Sequence, residues 1–471
     1  MTPRFPAAPR PPRQKAESVR SFEELREAEI RDVIVASADV QGRLFGRRVP
    51  IGVFSRMIDS GGGVDVSSCV LGWDISQSNE LLLARRLEFT GMHTGIHDMR
   101  LRPDLTTLRV AGWLDHTAIC MADIVDNTSG DLIPLAPRSL LRSSVDRVAQ
   151  LGLSASVGTE LEFYLFKGSP RQLRLRSFRD LEPTTLTNAD YSLLESDEFG
   201  PFLDSVRTAL LASDIEIEST QVEWGLGQWE LNFAHGDPMA MADQHALYKL
   251  AMKSMAARAG LTATFMAKPE QDQPGCSCHI HLSFRDAEGA AVLYDRDADS
   301  HTTPIMRHAV GGILALANDL TPWYAPTINS YRRLNAQDAA GWGLTWGWDN
   351  RSVSVRVLAR QENDTRLEFR LPGADTNPYL ALAGLLTSAE NGIRNSVDPG
   401  APVVGNAYEQ SVAALPKDLG SASRLFRQSK PLRELFGADV IEHYATLAEH
   451  EWRIFLDTVT EWDRTRYLDL I

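Results

Sequence analysis

Cysteine is scarce in this chain, with four in 471 residues, at Cys69, Cys120, Cys276 and Cys278. So few, so irregularly spaced, exclude a disulfide framework and predict a reducing, cytoplasmic setting. Long apolar runs are missing as well. No stretch reaches the roughly 20 residues of a membrane helix, so no membrane partner is expected. Basic residues are the minority, 48 Lys and Arg against 62 Asp and Glu, a formal charge of −14. With no basic block to offset that charge, general nucleic-acid binding is excluded, and any nucleotide phosphate must be held by locally placed arginines and metal. The glycine run at 61–63 lacks the GK[ST] signature and the strand–turn–helix context of a phosphate loop, and reads as a flexible loop. The opening segment, MTPRFPAAPRPPRQKAE, is basic and proline-rich without an apolar core, which predicts a disordered tail over 1–20 and no signal peptide.

What is present is ordinary for a soluble globular protein: 43% hydrophobic and 23% charged residues, in a chain long enough for about two or three domains. IRDVIVASADVQGRLFGRRVP reads as two strands around a turn at Gly42, and short strand-like pieces follow to about Asn127. LAPRSLLRSSVDRVAQLG reads as a helix with Pro137 near its start and Gly152 closing it. Beyond it, strands are predicted at SASVGTELEFYLF, GQWELNFAHG, CSCHIHLSF, SVSVRVLAR and TRLEFRLP. Helices are predicted at DQHALYKLAMKSMAARAG, MRHAVGGILALANDL and NPYLALAGLLTSAENGI, the last with Asn377 as N-cap, and in the amphipathic C-terminal segment. Such uneven alternation suits an α+β fold better than a regular βαβ repeat.

The chemistry sits in ionisable residues at i, i+2 spacing inside those strands, because alternation puts such pairs on one face. Glu160 and Glu162 share a face, as do His279, His281 and Ser283, and likewise Arg366, Glu368 and Arg370. A fourth segment, VEWGLGQWELNF, brings Glu223 and Glu230 to either side of a glycine-rich turn. Any one such strand is usually only a solvated face. Four together supply the carboxylates and imidazoles of a Mg²⁺ or Mn²⁺ site, with arginines beside them for phosphate. Cys276 and Cys278 with His279 and His281 look like a zinc cluster, but on a strand the cysteines and histidines face opposite sides.

These segments, in this order, resemble the glutamine synthetase superfamily from about Arg31 to the C-terminus. The resemblance is carried by GTELEFYLF, EWGLGQWE, KPEQDQPGCSCHIHLS, NSYRRL, WDNRSVSVRV and TRLEFRLPGADTNPYLALAG. It implies an α+β architecture with a small N-terminal β-grasp domain over 21–128 and a larger catalytic domain over 129–471. It implies ATP and two or more Mg²⁺ or Mn²⁺ ions per site. Glu162, Glu223 and Glu230 would hold the metal on the amino-acid side, and Glu160, His279 and Glu368 the metal beside the nucleotide phosphates. Arg333 would grip the α-carboxylate of glutamate. Arg351 and Arg370 would sit on the transferring phosphoryl group, Arg356 and Arg366 near the ATP phosphates, and His281 and Ser283 along the nucleotide. The implied reaction joins the γ-carboxylate of glutamate to an amine through a γ-glutamyl phosphate. Ring-shaped homo-oligomers, usually dodecamers, are implied too, with Asp65 or Asp74 facing the next subunit's site.

Three departures bear on the substrate. The family's flap glutamate falls on Ala339, the Asn-Gly before the histidines is Pro274-Gly275, and the adenylylated tyrosine loop of some bacterial enzymes has no counterpart. With the tryptophans at 229, 342, 346 and 348, these features fit the branch that uses an organic amine, similar to the γ-glutamylpolyamine synthetases. The alternatives are an ammonia-using glutamine synthetase, a catalytically inactive structural member, and a ligase whose acid is not glutamate.

Overall fold

The computed structural model describes residues 22–336 and 340–471. The expected tail over 1–20 and the flap position Ala339 lie outside the described residues. Among those described, no helix is long and apolar enough to cross a membrane.

Two sheets organise the chain. The first takes β1 (Asp32–Ala38), β2 (Leu44–Pro50), β3 (Val64–Ser67), β4 (Asp98–Pro103), β5 (Arg109–Val110) and β6 (Thr117–Asp126), ordered β2-β1-β6-β4-β3 with β5 beside β6. β1 and β2 form the expected antiparallel hairpin, and β1 runs parallel to β6. Gly42 makes the turn at φ +81°, where a Cβ would come to 3.0 Å of the Asn377 backbone, so both conformation and space call for glycine. Asn377 in turn donates to the carbonyls of Asp39 and Val40, tying this hairpin to the rest of the chain.

The second sheet has nine strands: β7 (Ser154–Lys167), β8 (Glu182–Pro183), β9 (Ile217–Val222), β10 (Gln228–Phe233), β11 (Leu261–Thr264), β12 (Cys278–Arg285), β13 (Trp342–Trp348), β14 (Val353–Leu358) and β15 (Arg366–Phe369). Their order is β13-β14-β15-β12-β7-β10-β9, with β8 and β11 pairing the far end of β7. All neighbours are antiparallel except β13 and β14. Alternation does what the sequence predicts. Leu161, Phe163, Ile280, Leu367 and Phe369 turn to one face and are at most 1% exposed. There Phe163 meets Tyr248 edge-on at 6.4 Å and Phe369 meets Tyr324 at 4.8 Å. Each such ring contributes about 1.5–3 kcal/mol by leaving water.

Cys276 and Cys278 pack into this same apolar core, away from the histidines' carboxylate partners. Behind the sheet, helix Pro378–Asn395 is buried around nearly its whole circumference. It starts as predicted, with Asn377 capping and Pro378 in the first turn. A Cβ on Gly312 would sit 2.1 Å from the Ser388 carbonyl, so this glycine lets helix Pro304–Ala317 approach helix Pro378–Asn395 closely.

The two sheets are joined by buried charge. Arg138, at the start of helix Pro137–Ala149, binds Asp104 and Asp123 on the first-sheet side, and Asp243 on helix Pro238–Arg258. A guanidinium shared among three carboxylates recovers its desolvation cost only in this fixed geometry, so the contact sets how the sheets meet. The sequence reading missed helix Leu193–Leu211, which carries Pro201 in its interior and has little amphipathic pattern.

Candidate active site

The polar face of the second sheet is built by cross-strand pairing. β12 sets His279 directly opposite Glu160, β10 sets Glu230 opposite Glu162, β15 sets Glu368 opposite His281, and β14 sets Arg356 opposite Glu368. Side chains far apart in sequence therefore share one surface without any loop having to deliver them.

Glu160, His279 and Glu368 form a group whose ligand atoms all lie within 4.8 Å of one another. His279 Nδ1 is 3.1 Å from Glu160 Oε2 and 3.7 Å from Glu368 Oε1. Arg366 Nε donates to His281 Nδ1 at 3.1 Å, so His281 carries its proton on Nε2 and donates it to Glu160 Oε1 at 2.7 Å. Burial raises Glu160, but the hydrogen bonds from His279 and His281 outweigh it and hold the carboxyl well below its ordinary range. Burial, reinforced by Arg370, pushes His279 down to about 4, so its ring is neutral at pH 7. Its Nε2 is buried and has no hydrogen-bond partner among the described residues. A neutral imidazole and two ionised carboxylates at this spacing fit a divalent cation.

Glu162, Glu223 and Glu230 occupy the neighbouring end of the face. Glu162 accepts from Gln228 Nε2 and the Ser277 backbone N–H, both at 2.8 Å. Gln221 Nε2 bridges Glu223 at 2.9 Å and Glu230 at 3.1 Å, and Asn232 also donates to Glu230. Burial raises all three carboxyls, helped by the charge of Glu223 at Glu162, of Asp190 and Glu160 at Glu223, and of Glu162 at Glu230, which reaches about 9. Three acids made costly by burial and neighbouring negative charge are a set that a cation would relieve.

The arginines gather at the other end. Arg356 donates to Glu368 at 2.8 Å and Arg370 bonds the other oxygen of the same carboxylate. Burial raises Glu368, yet the Arg370 charge keeps it below its ordinary value. Arg356 also binds Asp349, which Arg360 holds from outside. Ser283 lies further along β12, opposite Ser156 on β7. Arg351 is exposed at the turn before β14, near enough to Tyr191 to act on it electrostatically.

Arg333 is differently placed. It is 1% exposed, with Nε and Nη2 on Ser277 Oγ and the other bonds on the carbonyls of Arg370 and Leu371. Its guanidinium therefore fastens β12 to the segment after β15. Gly275 makes room for its stem, since a Cβ there would lie 2.6 Å from Arg333 Cγ. Of the expected tryptophans, Trp229 and Trp346 are core residues at 0% and 1% exposure, whereas Trp348 is partly exposed.

Several residues that hold the site were not anticipated. Gln221, Gln228, Asn232 and Ser277 are neutral and stand out less than charged groups in a strand pattern; yet Gln228, Glu230 and Asn232 share the same alternation. Tyr191 and Trp224, 64% and 60% exposed near Glu223, come from turns where periodicity says nothing.

A family model described as glutamine synthetase, catalytic domain, matches residues 134–467. The chain belongs to the glutamine synthetase family. A glutamate–isopropylamine ligase from a Pseudomonas species is 34% identical over 96% of this chain and 98% of that protein. The γ-glutamylethanolamide synthetase GlnA4 of Streptomyces coelicolor is also 34% identical, over 98% of this chain and 97% of its own. Among solved structures, GmaS in complex with ADP superposes with a TM-score of 0.82 at 27% identity, covering 95% of this chain and 99% of that one. The match spans both sheets, so the likeness extends through the first sheet as well as the candidate site.

Proposed function

We propose that this protein is an ATP-dependent ligase that joins the γ-carboxylate of glutamate to an organic amine. The observation that carries the reading is one sheet face on which two carboxylate sets lie side by side, with an arginine group bonded to one of them through Glu368. The full-length likeness to two amine ligases favours an organic amine over ammonia. In this reading a γ-carboxylate oxygen of glutamate attacks the γ-phosphorus of ATP, ADP leaves, and γ-glutamyl phosphate forms. The amine nitrogen then attacks the acyl carbon, the C–O bond to phosphate breaks, and the nitrogen loses a proton. Divalent cations held by Glu160, His279 and Glu368, and by Glu162, Glu223 and Glu230, would neutralise phosphate charge and orient the reactants.

Arg370, Arg356, Arg351 and Arg366 would balance the charge on the transferring and leaving phosphates, with His281 and Ser283 along the nucleotide. Arg333 would exchange its Ser277 bonds for the α-carboxylate of glutamate, or act by holding Ser277 and the strand ends in place. The reading also takes residues 21–128 as a β-grasp unit, and the assembly as a ring with shared sites. Asp65 is the aspartate suited to face a neighbour: it is half exposed and paired with Arg100, whereas Asp74 is consumed by Ser76 and Ser78.

The test is phosphate release with ATP, Mg²⁺ and glutamate against a panel of ammonium, alkylamines, ethanolamine, polyamines and anilines. Glutamate-dependent release with at least one organic amine is expected. Release with no amine in the panel, ammonium included, would overturn the reading in favour of an inactive scaffold.

A further inference from the structure

Away from the carboxylate and arginine face lies a cavity of about 560 Å³. It opens between the turn after β1, helix Pro238–Arg258 and helix Ala438–Asp457, where the two sheets' units meet. Most of its wall is apolar, with Leu250, Phe265, Tyr444 and Leu447 among the lining residues. Its size and lining are those of a small-molecule site.

Its lining carries three bases, Arg43, Lys249 and Lys253, and three acids, Asp74, Asp375 and Glu451, and these are unequal in what they already hold. Arg43 is committed to Asp39, Gln41 and the carbonyls of Asp74 and Ile75. Lys249 and Lys253 are not. They stand one helical turn apart, both over the Phe265 ring at 5.5 and 5.7 Å, so their like charges face the same space. Lys249 makes one bond, to the Thr376 carbonyl at 3.1 Å, and no carboxylate among the described residues pairs with Lys253. Burial, with the Lys253 charge adding to it, pushes Lys249 down to about 8. An anion between the two lysines would reverse that effect.

Asp375 lines the same cavity, and its Oδ1 is buried with no hydrogen-bond partner among the described residues. Its Oδ2 is occupied, accepting from Thr327 at 2.8 Å and Ser330 at 2.6 Å. An unmatched acceptor of this kind calls for a donor. Ser330 begins the short helix Ser330–Asn335, which carries Arg333.

We propose that this cavity binds an apolar carboxylic acid with a hydrogen-bond donor on its α-carbon. The carboxylate sits between Lys249 and Lys253, the α-donor meets Asp375 Oδ1, and the hydrocarbon lies along Phe265, Tyr444 and Leu447. Through Asp375 the ligand bears on the turn that positions Arg333, so binding alters the KM for glutamate. This second half rests on the proposed reaction; the binding itself does not.

Calorimetry on the full-length protein tests the binding with 2-hydroxyoctanoate, octanoate and octanamide as probes. One molecule of 2-hydroxyoctanoate per chain is expected, bound several-fold more tightly than octanoate and at least tenfold more tightly than octanamide. Lys253→Glu, an exposed position, should weaken the acid at least tenfold. Leu250→Trp, which fills the cavity from a position 37% exposed, should abolish binding. Both variants should keep basal ligase turnover, which serves as the check on folding. Octanamide binding as well as the acids, or unchanged affinity in both variants, overturns the site. An unchanged glutamate KM at saturating 2-hydroxyoctanoate overturns the coupling to Arg333.

Discussion

Glu160 and His279 are direct partners across the β7–β12 ladder, and their side chains meet at 3.1 Å. The pairing fixes a buried neutral imidazole against an ionised carboxylate, because the same hydrogen bonds that depress Glu160 fail to offset the burial of His279. That combination is poorly explained by packing. The His279 Nε2, unpartnered among the described residues, costs about 1–3 kcal/mol, which a cation bound there would offset.

Two isosteric substitutions separate the chemistry of the face from its stability. Glu162→Gln should lower phosphate release at least 100-fold while leaving the melting temperature nearly unchanged, because an amide oxygen can still accept from Gln228 and Ser277. Glu368→Gln should abolish release and also destabilise the fold, since it strips the charge that Arg356 and Arg370 share. Breaking a buried pair of this kind costs about 3–5 kcal/mol. Turnover near the parent level in both variants at saturating metal would sink the two-site assignment.

Divalent cation should stabilise the protein, and the effect should grow with pH. Glu230 is raised from 4.5 to about 9. The folded chain therefore holds more protons than the unfolded one between those values, and metal-free stability falls as pH rises through that window. A bound cation favours the ionised carboxylates and cancels the slope. Scanning calorimetry in chelator should show the melting temperature dropping from pH 5.5 to 8.5, and Mg²⁺ or Mn²⁺ at 100 times its Kd should restore about 2.7 kcal/mol. A chelator-treated protein with a flat or rising profile contradicts this.

The site was legible where periodicity reports on it. Strand alternation alone put Glu160 with Glu162 and Glu368 with Arg370, and the structure places all of them on one face. Strand order was not legible, because nothing in TRLEFRLP says that β15 lies between β12 and β14. Nor was burial within the polar face. Arg333 and Arg351 look alike as sequence, but one is enclosed by carbonyls and the other stands in solvent. Trp229 sits next to Glu230 in the chain and on the opposite face of the sheet, which is why a tryptophan beside a carboxylate proved to be core.

Acid should loosen the contact between the turn after β3 and helix Ala438–Asp457. His443 on helix Ala438–Asp457 bonds the Leu71 carbonyl at 2.7 Å, and burial outweighs that bond and lowers its pKa from 6.5 to about 4. The unfolded chain binds the extra proton in this window, so the contribution of His443 is lost as pH falls from about 6.5 toward 4. His443→Gln can keep a donor to Leu71 without titrating. Its melting temperature should fall less between pH 7 and 4.5 than that of the parent, measured in the same buffers. An equal drop in both proteins assigns the acid sensitivity elsewhere.

Trp224 offers the sharpest test of which nitrogen nucleophile the site takes. A recess is lined by residues 187–190, Ser192 and Trp224, the last 60% exposed and next to Glu223 in the chain. Burial and the charges of Glu223 and Asp190 raise the hydroxyl of Tyr191, which lies between two of the lining residues in the chain, so this stretch feels the carboxylates. An ammonium ion can use those carboxylates and the indole face. An organic ammonium also gains about 0.8 kcal/mol per CH₂ it buries against the ring. Two buried methylenes therefore amount to a preference of about tenfold or more. Trp224→Ala should lower kcat/KM for the best organic amine about tenfold more than it lowers that for ammonium. A uniform loss for both would make Trp224 a structural residue. If ammonium equals or beats every amine in the parent enzyme, the ammonia-using reading replaces the organic-amine one.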